Sequence, residues 1–130
     1  MVYVFLADGF ELIEALAPVD MLRRAKIGVM TVGIGGSVIT ASCGVSVTCD
    51  ISDKAFRFKN VDAIVLPGGM PGTKNLEKSP VVQMAKFILR WKLPRNVFKN
   101  VYSAMIKQGI IITIPFRHLL KVCGALTRMP

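Results

Sequence analysis

Acidic residues are missing from the last third of this 130-residue sequence. The stretch from Lys86 to Pro130 carries nine basic residues and no Asp or Glu, whereas residues 1–85 hold eight residues of each sign. The net charge of +9 therefore arises entirely in the last third. Acidic residues make up roughly an eighth of ordinary globular sequence, so a stretch of this length without one is unusual. The composition changes near residue 86, and the two parts need separate interpretation.

Cysteine is also scarce, and Cys43, Cys49 and Cys123 form an odd set. This argues against a disulfide framework and favours reduced, mostly buried thiols. No basic leader or cleavage site precedes the first strand-like run, so we expect a cytoplasmic location. The uncharged stretch Ile27–Cys49 is long enough to be considered as a membrane span, but it contains five glycines and six Ser or Thr residues. Its alternating pattern favours a buried hairpin over a bilayer helix.

Hydrophobic periodicity predicts an alternating α/β order of elements. A short apolar run, Val2–Leu6, leads to a helix over Glu11–Lys26, which Pro18 is expected to break or kink near Ala17. The other predicted elements are strand Gly28–Val32, a hairpin of Val38–Ala41 and Val45–Cys49, strand Asp62–Leu66, a helix beginning at Ser79–Pro80, and strand Gly109–Ile114. This order predicts a parallel sheet covered by helices.

Two loops are the candidate site, because ligands of open parallel sheets bind at the carboxyl ends of the strands. One loop leads to Glu11 and Glu14, and the other is the glycine turn Pro67–Gly72. Glu14 either lies beside a reactive group or is a solvated or capping carboxylate. The glycines leave backbone amides open to a ligand. The segment Gly68–Lys74 has the wrong residue order and spacing for a phosphate loop, so no nucleotide and no other cofactor is expected.

Two segments resemble the ThiJ/PfpI family, also known as the parkinsonism-associated protein deglycase family. They are Val2–Ala25 (VYVFLADGFELIEALAPVDMLRRA) and Asp62–Leu76 (DAIVLPGGMPGTKNL). The resemblance implies a flavodoxin-like, doubly wound parallel sheet of the class I glutamine amidotransferase type, here incomplete on its C-terminal side. We therefore predict a family-like half-domain over residues 1–88 and a basic segment over residues 89–130 that does not resemble the family.

The resemblance also implies a chemistry. Family members are cysteine-dependent hydrolases of the deglycase or glyoxalase type, associated with the stress response and usually dimeric. The acidic partner of their catalytic cysteine falls on Glu14, their backbone oxyanion donors on Gly68 and Gly69, and a loop cysteine near the dimer contact on Cys49. A carboxyl group and fixed amides of this kind can support a thiolate that attacks an aldehyde or acyl carbon. No metal or other cofactor is implied.

The catalytic cysteine itself is absent from the expected place near residue 100, where the sequence reads NVYSAM over residues 100–105. Ser103 lacks the flanking glycines of a serine elbow and is interpreted as a plain polar residue. Cys123 is the weaker candidate nucleophile, since few residues remain after it for a supporting helix. His118 and one cysteine are too few for a metal site. We therefore predict an inactive chain, and hypothesise that a reading-frame shift, a retained intron or a truncated gene copy replaced the C-terminal half.

Two other functions stay open, namely a non-catalytic chaperone or interaction module and a nucleic-acid-binding protein. The second would use basic and aromatic residues that alternate in the tail: Arg90, Trp91, Lys92, Arg95, Phe98, Lys99 and Tyr102. The expected partners are a small aldehyde or glycated substrate and a second copy of the chain, with neither nucleic acid nor a membrane among them. Loss of the later strands predicts an unpaired sheet edge unless Gly109–Ile114 fills it.

Overall fold

The computed structural model of the protein describes residues 1–92 and 111–113. In chain order the elements are β1 (Val2–Leu6), α1 (Leu12–Arg24), β2 (Val29–Gly33), β3 (Val38–Thr40), β4 (Ser46–Thr48), β5 (Ile51–Ser52), β6 (Ala63–Leu66), α2 (Gly72–Lys78), α3 (Pro80–Lys92) and β7 (Ile111–Thr113). Five strands form one sheet in the order β5-β2-β1-β6-β7, and β3 and β4 form a separate antiparallel hairpin.

The central sheet is parallel except at one edge. Strand β1 pairs in parallel with β2 on one side and with β6 on the other, and β5 extends the sheet in parallel beyond β2. Strand β7 pairs with β6 in the antiparallel direction, with Ile111 opposite Leu66 and Thr113 opposite Ile64. The expected parallel sheet and the strand near residues 109–114 are both confirmed, and β7 occupies the edge that loss of the later strands was expected to expose.

The two faces of the sheet carry separate hydrophobic layers because side chains of a strand alternate between faces. The α1 layer contains Val2, Val4 and Leu6 of β1 with Ala15, Val19 and Leu22 of α1. The α3 layer contains Tyr3, Phe5 and Ala7 with Phe56, Leu76 of α2, and Val82 and Ala85 of α3. Both faces of the sheet are therefore covered, as a doubly wound arrangement requires.

Helix α1 is continuous, so a break near Ala17 is wrong, whereas a kink there stays a prediction. Pro18 lacks the donor that would bond the carbonyl one turn earlier, a defect of about 3 kcal/mol in an isolated helix. Ala15, Val19 and Leu22 keep helical spacing through the proline and are all buried against the sheet. Since most helix stability in proteins comes from packing of an apolar face, this burial outweighs the missing hydrogen bond.

Other differences from the predicted order are small. Helix α2 was not predicted, and it begins directly after Pro71. The uncharged stretch Ile27–Cys49 forms β2 and the β3–β4 hairpin, as expected, but the prediction that the hairpin is buried is wrong, because Ile39 is the one buried residue of its two strands. Among the helices of the described residues, none combines the length and apolar character that a membrane crossing requires. Helix α3 runs across the proposed boundary between residues 88 and 89, and that division stays a prediction.

Candidate functional site

The candidate site lies where β1 and β6 end side by side. The loop after β1 and the glycine turn after β6 are joined by two backbone hydrogen bonds. The amide of Glu11 donates to the carbonyl of Gly68 at 2.8 Å, and the amide of Gly72 donates to the carbonyl of Gly9 at 3.2 Å. The sequence prediction that these two loops share one edge of the sheet is therefore correct.

Glycine is required at two points of this junction. Gly69 has φ of 96°, and a Cβ atom there would lie 2.4 Å from the amide nitrogen of Glu11. Gly9 has φ of 84°, and its Cβ would lie 2.3 Å from the Cδ atom of Pro71. A side chain at either position meets both an unfavourable backbone conformation and a steric overlap. The close approach of the two loops therefore depends on these glycines.

Glu11 caps helix α1. Its Oε2 atom accepts hydrogen bonds from the amides of Ile13 at 2.6 Å and Glu14 at 3.1 Å. These are two of the amides that have no partner within a helix, and a carboxylate there also complements the helix dipole. The capping role that was weighed for Glu14 belongs to Glu11.

Glu14 is half-buried and contacts the glycine turn directly. Its Oε2 atom accepts a hydrogen bond from the amide of Gly68 at 2.7 Å. The structure thus brings together Glu14, Gly68 and Gly69, although these residues are more than 50 positions apart in the sequence. The Gly68 amide donates to Glu14 and the Gly72 amide donates to Gly9, so the amides of this turn that have no acceptor among residues 1–92 are those of Gly69 and Met70.

The two described thiols are not activated by this site. Cys43 is exposed in the hairpin turn, and Cys49 is buried. Burial, with a smaller contribution from the negative charge of Asp50, raises the pKa of Cys49 to about 11. Within residues 1–92, neither thiol forms a hydrogen bond with Glu14. A nucleophilic cysteine needs a lowered pKa, so the environment of Cys49 is the opposite of an activating one. Its place at a dimer contact stays a prediction.

Asp50 fixes the end of α1 to the sheet. Its carboxylate accepts hydrogen bonds from Nη2 of Arg23 at 2.8 Å, from the amide of Thr31 at 2.7 Å and from Oγ1 of Thr31 at 2.9 Å. Burial by itself raises the pKa of Asp50, but the hydrogen bonds from Thr31 and the charge of Arg23 outweigh it and lower the pKa below its ordinary value. The cluster also holds the negative charge of Asp50 next to Cys49, where it contributes to the raised pKa of that thiol.

The direction of β7 excludes this strand as the one that leads into a nucleophile elbow. A nucleophile elbow needs a strand that ends at the carboxyl edge of the parallel strands. Because β7 is antiparallel to β6, it begins at that edge and ends toward the opposite one. The strand described beside β6 therefore cannot present an elbow next to Glu14. Residues 100–105, His118 and Cys123 lie outside the described residues.

Several polar contacts that support the glycine turn were not predicted. Oγ1 of Thr73 donates to the carbonyl of Gly69 at 2.9 Å, and Nδ2 of Asn75 donates to the carbonyl of Asp8 at 2.8 Å. The Asp8 side chain in turn accepts from the amide of Thr40 at 2.8 Å. Thr73 and Asn75 belong to α2, so recognising a helix start after Pro71 is the signal that would have found them.

Comparison with known proteins identifies the family to which the chain belongs. The DJ-1/PfpI family matches residues 1–94, a range that includes both loops of the site. The chain belongs to the DJ-1/PfpI family. The ThiJ/PfpI resemblance in the sequence is therefore confirmed, as is an incomplete flavodoxin-like α/β fold.

Individual relatives match the chain over part of their length. The Parkinson disease protein 7 homolog of Danio rerio is 39% identical over 82 residues, which are 62% of this chain and 43% of that protein. Protein DJ-1 homolog B of Arabidopsis thaliana is 37% identical over 87 residues, covering 65% of this chain and 20% of that protein. The structure of oxidized DJ-1 from Toxoplasma gondii has a TM-score of 0.65 at 32% identity, covering 70% of this chain and 50% of that one. The chain spans half or less of the length of these relatives.

Proposed function

We propose that this chain is a DJ-1/PfpI family half-domain that keeps the carboxylate and the glycine turn of a pocket but does not perform thiol-dependent hydrolysis. The observation that carries this proposal is the 2.7 Å hydrogen bond from the Gly68 amide to Oε2 of Glu14. The carboxylate and one of the two amides expected to serve catalysis satisfy each other. In this state they form a structural junction between α1 and the turn.

The surrounding chemistry supports the same conclusion. Hydrolysis of an aldehyde or glycated adduct by this route requires a thiolate held within reach of the carboxyl group and of an amide that stabilises the developing oxyanion. Cys49 is buried with a raised pKa, and β7 runs in the wrong direction for an elbow beside β6. The amides of Gly69 and Met70 can stabilise a developing negative charge, but they supply no nucleophile.

Turnover of methylglyoxal by the full chain at neutral pH tests this proposal. We expect a rate equal to that of buffer for the wild-type chain and for the variants Glu14→Gln and Cys123→Ser. Glu77→Gln is the matched control, because Glu77 is exposed on α2 and away from the turn. Turnover that Glu14→Gln or Cys123→Ser abolishes and Glu77→Gln preserves would show an active enzyme and refute the proposal.

A second candidate function is a protein interaction module, and exposed apolar side chains at the site favour it. Ile13 on α1 is 68% exposed and Met70 in the glycine turn is 62% exposed. A second copy of the chain is the expected partner for this pair. Light scattering of the wild type and of the double variant Ile13→Gln/Met70→Gln tests it, with a dimer in the first and a monomer in the second as the expected result. A wild-type monomer at high protein concentration would exclude this contact.

A further inference from the structure

The loop between β1 and α1 has hydrogen-bonded neighbours on two sides. Its residues 8–10, the bridging loop, run between the β3–β4 hairpin and the glycine turn. A parallel bridge joins Phe10 to Ala41, the residue that follows β3. Both side chains are buried in the hydrophobic layer under α1. The bridging loop therefore lies between the hairpin and the turn as a middle strand lies between its neighbours.

Three hydrogen bonds attach the hairpin to the bridging loop. The Oδ1 atom of Asp8 accepts from the amide of Thr40 at 2.8 Å, and the amide of Gly9 donates to the carbonyl of Thr40 at 2.8 Å. The amide of Ser42 donates to the carbonyl of Phe10 at 2.9 Å. Within residues 1–92, no other hydrogen bond joins the hairpin to the rest of the fold.

The same loop is attached to the glycine turn and to α2. Nδ2 of Asn75 donates to the carbonyl of Asp8 at 2.8 Å, and the amide of Gly72 donates to the carbonyl of Gly9 at 3.2 Å. Asp8 and Gly9 thus each bind the hairpin through one polar group and α2 or the turn through another. A displacement of either residue disturbs contacts on both sides of the loop.

The hairpin has little apolar burial of its own. Ile39 is buried, and Val47 packs in part against the same hydrophobic layer. The other residues of its two strands are exposed: Val38, Thr40, Ser46 and Thr48. Segments with few buried apolar contacts open most easily in a folded protein. The closed position of the hairpin therefore depends strongly on its hydrogen bonds to the bridging loop.

We propose that the bridging loop couples the hairpin to the glycine turn, so that the two open and close as one cooperative unit with Asp8 as the positioning residue. Hydrogen bonds that share the same residues form a network in which each supports the others. The turn presents the amides of Gly69 and Met70, which have no acceptor among residues 1–92. A partner that holds the hairpin closed therefore also fixes these amides, and the effect is reciprocal by linkage. The coupling is independent of whether the chain turns over a substrate.

Hydrogen exchange of the 130-residue chain, read at single residues by NMR, tests the coupling. The reporters are the amides of Thr40 on the hairpin side and Gly72 on the turn side. In the wild type we expect their protection factors to agree within about twofold and to respond equally to low concentrations of urea. The amides of β1 report global unfolding and should be more protected than either reporter.

Two substitutions separate coupling from a local effect. Asn75→Ala removes a contact on the turn side only, and we expect it to speed exchange of the Thr40 amide about fivefold, the effect of one net hydrogen bond. Asp8→Ala removes a contact on the hairpin side, and we expect a similar acceleration at the Gly72 amide. Asp8→Asn keeps an acceptor oxygen, so its exchange should stay close to that of the wild type.

Gln83→Ala and Asp53→Ala are the matched controls. The side-chain amide of Gln83 also donates to a main-chain carbonyl, and the carboxylate of Asp53 also accepts from main-chain amides. Neither residue contacts the bridging loop, so we expect both variants to leave the two reporter amides unchanged relative to those of β1. Circular dichroism of each variant establishes that it is folded.

Three results would overturn the proposal. One is a wild type in which the two reporter amides differ in protection by more than about tenfold, which needs no variant to measure. Another is acceleration confined to the substituted side, with Asn75→Ala affecting Gly72 and leaving Thr40 unchanged. The third is an equal acceleration in the control variants or at the amides of β1, which would show a general loosening of the fold.

Discussion

Replacing Glu14 by alanine is the substitution whose cost follows most directly from the structure. The Glu14 carboxylate accepts one hydrogen bond, at 2.7 Å, from the buried amide of Gly68. Hydrogen bonds to charged groups contribute about 1.5–3 kcal/mol to stability, and removing the acceptor also leaves a buried donor without a partner. We expect Glu14→Ala to lower the free energy of unfolding by about 2 kcal/mol. Glu14→Gln keeps a neutral acceptor oxygen, so its cost is about half as large.

Urea unfolding of the full chain measures this effect, with Glu77→Ala as the control. Glu77 is exposed, so its substitution changes stability by less than about 0.5 kcal/mol. Hydrogen exchange gives an independent readout, because the Gly68 amide loses protection in Glu14→Ala beyond what the global change in stability explains. A Glu14→Ala variant as stable as the wild type, or more stable, would refute the structural role of this carboxylate. It would indicate a group kept for chemistry at a cost in stability.

Three further substitutions test other parts of the structure by urea unfolding. Gly69→Ala is expected to lower the free energy of unfolding by more than about 3 kcal/mol, because the new Cβ would both strain the backbone and overlap the Glu11 amide. Gly44→Ala is the control and should cost about 1 kcal/mol, because its Cβ would meet no atom of residues 1–92 within 4 Å. Equal costs for the two variants would contradict this prediction. Lys26→Gly is expected to raise the free energy of unfolding by about 1 kcal/mol, because Lys26 follows α1 with φ of 59°, a backbone conformation that glycine adopts without steric cost. A decrease in stability would contradict this prediction. The pKa of Asp50 is lowered in the folded state, so the ionised carboxylate stabilises the fold at pH values above its unfolded pKa of about 4. This stabilisation is lost as the pH falls through the pKa of the folded state. Below pH 4 the free energy of unfolding should therefore fall more steeply with pH for the wild type than for Asp50→Asn. Parallel pH dependences for the two proteins would show that ionised Asp50 does not cause the loss of stability in acid.

Local sequence patterns predicted the elements that lie around the site. The apolar run Val2–Leu6 is buried on both faces, and such a run is typical of a central parallel strand. The glycine turn Pro67–Gly72 was found because three glycines follow a buried strand. These features depend on neighbouring residues, so they are readable without knowledge of the fold.

Features that depend on long-range packing were not predictable in the same way. The contact of Glu14 with Gly68 joins residues 54 positions apart, and spacing alone left Glu14 as either a functional or a capping group. The continuity of α1 through Pro18 depends on burial of the helix against the sheet. The antiparallel direction of β7 is set by its pairing with β6, and no property of residues 109–114 in isolation fixes it.

The most direct test of the account is the rate of methylglyoxal consumption by the 130-residue chain at neutral pH, before and after treatment with iodoacetamide. Glu14 forms a structural junction with Gly68, and neither of the described thiols has a hydrogen bond to its carboxylate among residues 1–92. We therefore expect a rate equal to that of buffer in both samples. Consumption above that of buffer that iodoacetamide removes would show a working thiol and contradict the account.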